Sequence, residues 1–510
     1  MPNPVLRVFL CVAAGLLLAC TGRAAPMGEA DARHLLNRTG FGAPPQLVAS
    51  YAKLSREQAV DRLLAGARSA PVLTPPSLVH EPSFRVRELG EEEKKAAQRA
   101  AFEKGVELRA WWLQEMLQTP SPLSERMTLF WHNHFVSSQQ KVKSGKLMLD
   151  QNLLLRRHAL GNFGELLHAI AKDPAMVIYL DAATNRKGQP NENFAREVME
   201  LFTLGEGHYG EQDVKEAARA FTGWSLERET GSFLWRAPMH DTGEKRVLGR
   251  SGNFDGDDVL DILLAQPATA EFIAGKLWRE FVSPAAASPA DTAELRRVAD
   301  RFRSSGLDIR QALRALLLTR AFWASENRGA LVKSPVDLVV GSLRTLDVSV
   351  PDALPLAFTV RNLGQDLFAP PNVRGWPGGD AWINSTTLLA RKQFIERLLR
   401  NDDFVVRPVR ADGVEAGFEQ GAMQNRQRVQ QLREEFGKGP GRLEGETRMR
   451  MVQALSDIRF DSRSWLARFP DAGAVERALL PVAAVAPPPP GSQGIALVRA
   501  YALDPAFQLK

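Results

Sequence analysis

From about residue 30 onward, apolar side chains recur three and four residues apart and almost never alternate one by one, which commits the chain to helices and excludes extensive sheets. "DARHLLNRTGFGAPPQLVASYAKLSREQAVDRLLAG" (31–66) reads as helix, Gly/Pro turn, helix, helix, and "EEEKKAAQRAAFEKGVELRAWWLQEMLQT" (91–119) as one long helix stopped by "PSP". The same spacing predicts helices near 122–136, 150–171, 191–204, 211–222, 257–265, 267–283, 291–304, 308–324, 333–346 and 385–400. The Gly-rich stretch 225–256 leaves room for one short hairpin. At 510 residues the chain exceeds one ordinary core. The expectation is an all-α, large multi-helix, bundle-like main domain over 31–400. After it come a charged, Gly-rich and partly mobile insertion over 401–450 and a C-terminal helical segment over 451–510 with the Pro-rich linker "APPPPGSQG".

The N-terminal residues follow a different logic. Arg7 precedes the apolar run "VFLCVAAGLLLA" (8–19), which is too short to span a bilayer comfortably and is followed by small residues, as in a secretory signal over 1–19. "LLAC" (17–20) resembles a lipobox, making Cys20 the expected lipidation site at the head of a short tether, 20–30; ordinary cleavage near Gly22-Arg23-Ala24 is the alternative. Either way the product is exported: an outer-membrane lipoprotein held only by its lipid, or a periplasmic or secreted protein. The chain's 2 cysteines, Cys11 and Cys20, both fall in this region, so the body beyond it has no disulfide and no cysteine ligand or nucleophile. The net charge of +6 is dispersed among acids and forms no basic stripe, which argues against a nucleic-acid partner.

Two stretches carry candidate chemistry. In "RMTLFWHNHFV" (126–136), Met127, Phe130, Trp131 and His134 share one helix face while His132 points away, so the two histidines cannot bind one metal from a regular helix. Each is either a core histidine with a hydrogen bond or part of a site shared with "NENFAREVMELFTLGEGHYGEQDVKEAARAFTGW" (191–224). On a wheel Glu192, Thr203, Arg196, Glu200, Asn193 and Glu197 fall on one arc of about 140°, opposite Phe194, Val198 and Phe202. Glu192, Arg196 and Glu200 suit a salt-bridge ladder on a solvated helix. Glu197 and Glu200, three apart, can equally offer two oxygens to a cation or pair an acid with a base.

These stretches, with "HDTGEKRVLG" (240–249), "GNFDGDDVLDILLAQPATAEFIAGKLWREFV" (252–282), "KSPVDLVVGSLR" (333–344), "PPNVRGWPGGDAWINSTTLLAR" (370–391) and "YALDPAFQLK" (501–510), resemble in order the signature blocks of the domain-of-unknown-function 1800 family, from about residue 31 to 510. The resemblance is weakest over 401–450 and supplies no catalytic residues. It implies export and, as a partner, the second exported family often encoded beside it, which resembles sulfatases and phosphatases. Where family members often have Thr before "EQDV", this chain has Gly210, still an acceptable helix cap.

Other motifs carry less. "SGNFDGDDVLDI" (251–262) has an isoleucine where a calcium loop needs its bidentate glutamate, so it reads as turn plus helix cap. Trp376 and Trp382 lie on a Gly/Pro-rich loop where they stack on a sugar or plug the domain face. No phosphate-binding loop, dinucleotide fingerprint, His-Glu-x-x-His or Gly-x-Ser-x-Gly elbow is present. The sequence thus supports two classes of function. One is an envelope or extracellular enzyme, metal-assisted or acid/base, with His132, Arg196, Glu197 and Glu200 as catalytic candidates and His134, Glu197 and Glu200 as ligands of a divalent metal. Asn191, Asn193, His208, His240 and Trp376 would then contact substrate. The other is a non-catalytic envelope scaffold that binds a partner protein or polysaccharide, in which the same polar residues fix helix packing.

Overall fold

The computed structural model describes residues 25–80, 89–286, 288–400 and 446–510; the segment expected to be a signal, Cys20 and most of the expected charged insertion lie outside the described residues. Helix accounts for 61% and strand for 5%, in two small antiparallel pairs, so the fold is all-α. The helices that build the regions of interest are α1 (Gly28–Thr39), α2 (Glu91–Gln118), α3 (Pro122–His134), α4 (Gly145–His158), α5 (Glu192–Glu197), α6 (Glu211–Ala220), α7 (Pro267–Phe281), α8 (Pro335–Thr345) and α9 (Ala472–Leu479).

Local chemistry sets the boundaries. The helix expected over 150–171 is two, because Asn162 breaks it and accepts hydrogen bonds from Gly164 N (2.8 Å) and Glu165 N (3.2 Å) at a new start. Thr319 divides 308–324 in the same way, accepting from Phe322 N at 3.2 Å. Asp255 caps the helix Gly256–Leu264 in a reciprocal box with Asp258, the turn-plus-cap arrangement. At Gly210 the missing hydroxyl is offset from the other side, with Asp213 Oδ2 accepting the Gly210 N–H at 2.9 Å, and α6 forms. Between 224 and 252 there are two hairpins where one was expected: β1 (Trp224–Leu226) with β2 (Phe233–Trp235), and β3 (Lys245–Val247) with β4 (Arg250–Gly252).

Two apolar cores meet along α3. Met127, Trp131 and Phe135 join a core built from 32–64 and 155–323, whereas Leu129 joins one built from α2, α4 and 336–507. The C-terminal segment belongs to this second core, through Trp465, Leu479, Tyr501 and Phe507 against Val339 and Ile395. Every residue of α3 from Leu123 to His132 is buried. A helix buried all round cannot leave its polar groups to water, so each needs a protein partner. Glu125 accepts from Arg156 Nε and Nη2 (both 2.7 Å) and from Trp112 Nε1 (2.8 Å). Arg126 lies over the Phe41 ring and donates to Asp337 on α8, to Gly40 O (2.5 Å) and to Glu280 (3.4 Å). Lys510 completes that cluster, its Nζ 2.8 Å from the other Asp337 oxygen.

Candidate functional site

The last turn of α3 spends three consecutive polar residues on three different elements. His132 Nε2 accepts the Phe368 N–H at 3.2 Å, and its ring is enclosed by Trp112, Phe368 and Trp376. Asn133 clasps the loop after residue 370: its Oδ1 accepts from Trp376 N at 2.7 Å. The fit depends on Gly375, at φ +80°, where a Cβ would overlap the Asn133 amide oxygen and meet its backbone oxygen at 2.7 Å. His134, on the opposite side from His132, donates from Nε2 to Phe202 O (3.1 Å) and accepts at Nδ1 from Lys276 Nζ (2.9 Å) on α7.

His134 therefore meets the helix that carries the two glutamates, but at its backbone end. After α5 the chain widens into a π-helical turn, Val198–Thr203, closed by Leu204 N to Met199 O at 2.8 Å. A helix C-terminus leaves carbonyls unpaired. Here Phe202 O takes the His134 N–H and Leu201 O takes a hydrogen bond from Lys276 at 3.3 Å, before Gly205 turns the chain at φ +79°. The π turn also removes Thr203 from the arc a regular wheel gives it. Its side chain is buried and bonds back to Val198 O at 2.7 Å.

Burial governs the proton chemistry of these groups. It holds His132 down at about 3, with Arg109 adding to the effect, and holds His134 well below the ordinary imidazole value, with Lys276 reinforcing it. Lys276 is itself pushed down to about 7 by burial and then by Arg279. At neutral pH both rings are uncharged, enclosed and already hydrogen-bonded.

The carboxylates face the other way. Glu200 accepts from Tyr209 Oη and from Arg374 Nη2, each at 2.8 Å, and Arg374 also reaches the exposed Glu206 at 3.0 Å. Half-buried Glu197 accepts no hydrogen bond among the described residues, and burial together with the Glu200 charge raises its pKa. Arg196 pairs with Glu211 (2.7 and 2.8 Å) more closely than with Glu192 (3.4 Å), so the expected ladder forms only in part. The asparagines fasten α5 to the preceding turn: Asn191 Nδ2 donates to Asp181 O (3.0 Å) and Asn193 Nδ2 to Leu180 O (3.3 Å).

The structure thus brings Glu197, Glu200 and Arg196 to one surface and does not bring the histidines to it. The set His134, Glu197 and Glu200 does not form a metal site, since both His134 nitrogens are taken and one faces an amine. Among the described residues no group of three or more His, Cys, Asp or Glu is placed to hold a metal. His132 is buried and enclosed by aromatic rings. Trp376 is 5% exposed and plugs the fold instead of stacking on a sugar. His240 is buried on Trp235 and bonded to Thr222 O (2.9 Å), away from the glutamates' partners, while His208 is exposed on the turn before Tyr209. Sequence reasoning missed Lys276, Asn133, Tyr209 and Arg374. The blocks "AGKLWREF" and "NVRGWPGG" contain two of them, but nothing local ties either to "WHNH".

A family model described as a protein of unknown function (DUF1800) matches residues 34–509. The chain belongs to the domain-of-unknown-function 1800 family. No curated protein and no solved structure shows a match to it. In this member the family's separate blocks become one assembly around α3. Among the described residues, no helix is long and apolar enough to cross a membrane.

Proposed function

We propose that the protein is an exported, non-catalytic component of the cell envelope that presents a rigid charged face to a partner protein. The observation that carries this reading is the complete internal use of the polar groups at the end of α3, together with the Arg374–Glu200–Tyr209 network that leaves charge outside, away from the enclosed rings of His132 and His134. The face mixes four acids, Glu192, Glu197, Glu200 and Glu206, with two arginines, Arg196 and Arg374, a pattern suited to selecting a partner by charge complementarity. The signal-like first nineteen residues and Cys20 support export with a lipid anchor. The family's gene neighbourhood makes an exported sulfatase/phosphatase-like protein the expected partner. Titration of the two purified mature proteins should give binding that falls at least about tenfold on reversing one charge, Arg374→Glu. Absence of binding at tens of micromolar, or an unchanged affinity in the variant, overturns the reading.

One observation favours an acid/base enzyme as a second reading. Glu197, whose pKa is raised by burial and by the neighbouring Glu200 carboxylate, has the paired-carboxylate arrangement of a general acid. In that case Glu197→Gln abolishes turnover of an envelope substrate while the fold, read by circular dichroism and melting temperature, is unchanged. Metal analysis of the purified protein, with and without Glu200→Ala, tests the metal-assisted form.

A further inference from the structure

A cleft of about 320 Å³ lies between α1, α9 and the segment that follows α9, on residues the preceding reading does not use. Its lining residues include the cationic side chains of Arg33, Arg328, Arg477 and Lys510 and, among side chains, one carboxylate, Glu476. These charges are not equally occupied. Arg328 is paired with Asp31, and Lys510 with Asp337. Arg33, by contrast, has an 11% exposed side chain and makes no hydrogen bond among the described residues; its nearest acid, exposed Glu29, is 3.9 Å away. Arg477 has no carboxylate within ion-pair distance among the described residues, and it lies close enough to Arg33 for their like charges to oppose each other. Glu476 is already engaged, accepting the Ala484 N–H at 2.8 Å. Beneath them His34 is neutral, held at about 3 by burial and by Arg38, and it donates to Phe322 O at 2.7 Å.

Two guanidinium groups held near each other, with only exposed Glu29 at 3.9 Å from Arg33 and the Glu476 carboxylate close by among the described residues, leave an excess of positive charge in a concave, partly desolvated space, where an added anion gains more than it would on an open surface. The lining also has an apolar stretch, Leu480, Pro481, Val482 and Ala483, which continues directly from the helix that carries Arg477. Gly329, at φ +73°, packs beneath Val482 and fixes that stretch. The volume is at the lower end for small-molecule sites. We infer that this cleft binds a small amphipathic organic anion, its phosphate or carboxylate group between Arg33 and Arg477 and its short apolar portion along residues 480–483.

Octyl phosphate is the probe, titrated calorimetrically into the mature protein. The expected result is saturable one-to-one binding that weakens with added salt, is much weaker for inorganic phosphate and is absent for octanol. Affinity should fall at least about tenfold in Arg477→Gln, whose exposed side chain can be changed without disturbing the fold, and further in Arg33→Gln/Arg477→Gln. No binding at millimolar octyl phosphate, equal binding by Arg477→Gln, or octanol binding as tightly as octyl phosphate each overturns the inference. Sedimentation with phosphatidic acid vesicles separates the sources: Arg477-dependent vesicle binding alongside octyl phosphate binding assigns the anion to a lipid headgroup. Octyl phosphate binding without vesicle binding assigns it to a free metabolite.

Discussion

The charges around Asp337 and those around Glu200 are both networks of arginine, lysine and carboxylate, yet they do different work. Asp337, Arg126 and Lys510 have side chains 5%, 2% and 7% exposed, and they join α3, α8 and residue 510 in a buried cluster. Arg374 and Glu206 are 63% and 69% exposed, and solvent screens their attraction. Charge inside this protein specifies which elements pack together; charge outside is available for recognition.

The largest expected effect breaks the interior half of that comparison. Asp337→Ala removes the acid that Arg126 and Lys510 share, leaving them Glu280 at 3.4 and 3.8 Å, and should cost about 3–5 kcal/mol, measured by urea unfolding. A loss below about 1 kcal/mol would show that water reaches the cluster and would erase the contrast. Next comes Gly375→Ala, which places a methyl group against Asn133 and requires a left-handed backbone of alanine. About 1–3 kcal/mol of destabilisation is expected, with the near-ultraviolet signal of Trp376 changed.

A pH series sharpens the comparison further. Lys276 has a folded value of about 7 against 10.5 when exposed, so between those values the unfolded chain holds the extra proton and stability rises with pH. Lys333, also pushed down to about 7 by burial, contributes in the same direction. Lys276→Met should therefore flatten, though not abolish, the rise in melting temperature from pH 7 to 10. Smallest of all, Arg196→Ala should shift the melting temperature too little to measure, because its partners sit in solvent.

The helical body was legible because burial stamps its period on the chain, and capping residues such as Asp255 and Ser334 mark their own boundaries. What escaped was geometry that depends on distant partners. A helical wheel assumes a constant rotation per residue, so it placed Thr203 beside Glu200, and only the π turn corrects it. His134 was readable as a polar residue on an apolar face, but its partner Lys276 lies 142 positions away. Arg126 and Asp337, 211 apart, carried no sequence signal as a pair. The second hairpin turns on Leu248 at φ +48° before Gly249 at φ +81°, and Leu248 is held there by Asp213, a bond no local pattern announces.

The three adjacent clasps at the end of α3 also act as a register lock. Deleting one residue between Ser121 and Trp131 would turn the tip of that helix by about 100° and hand each neighbour the wrong side chain: an amide where Phe368 needs an imidazole, an imidazole where Trp376 needs an amide. Homologous change in this stretch should therefore proceed by exchange of residues and not by length variation.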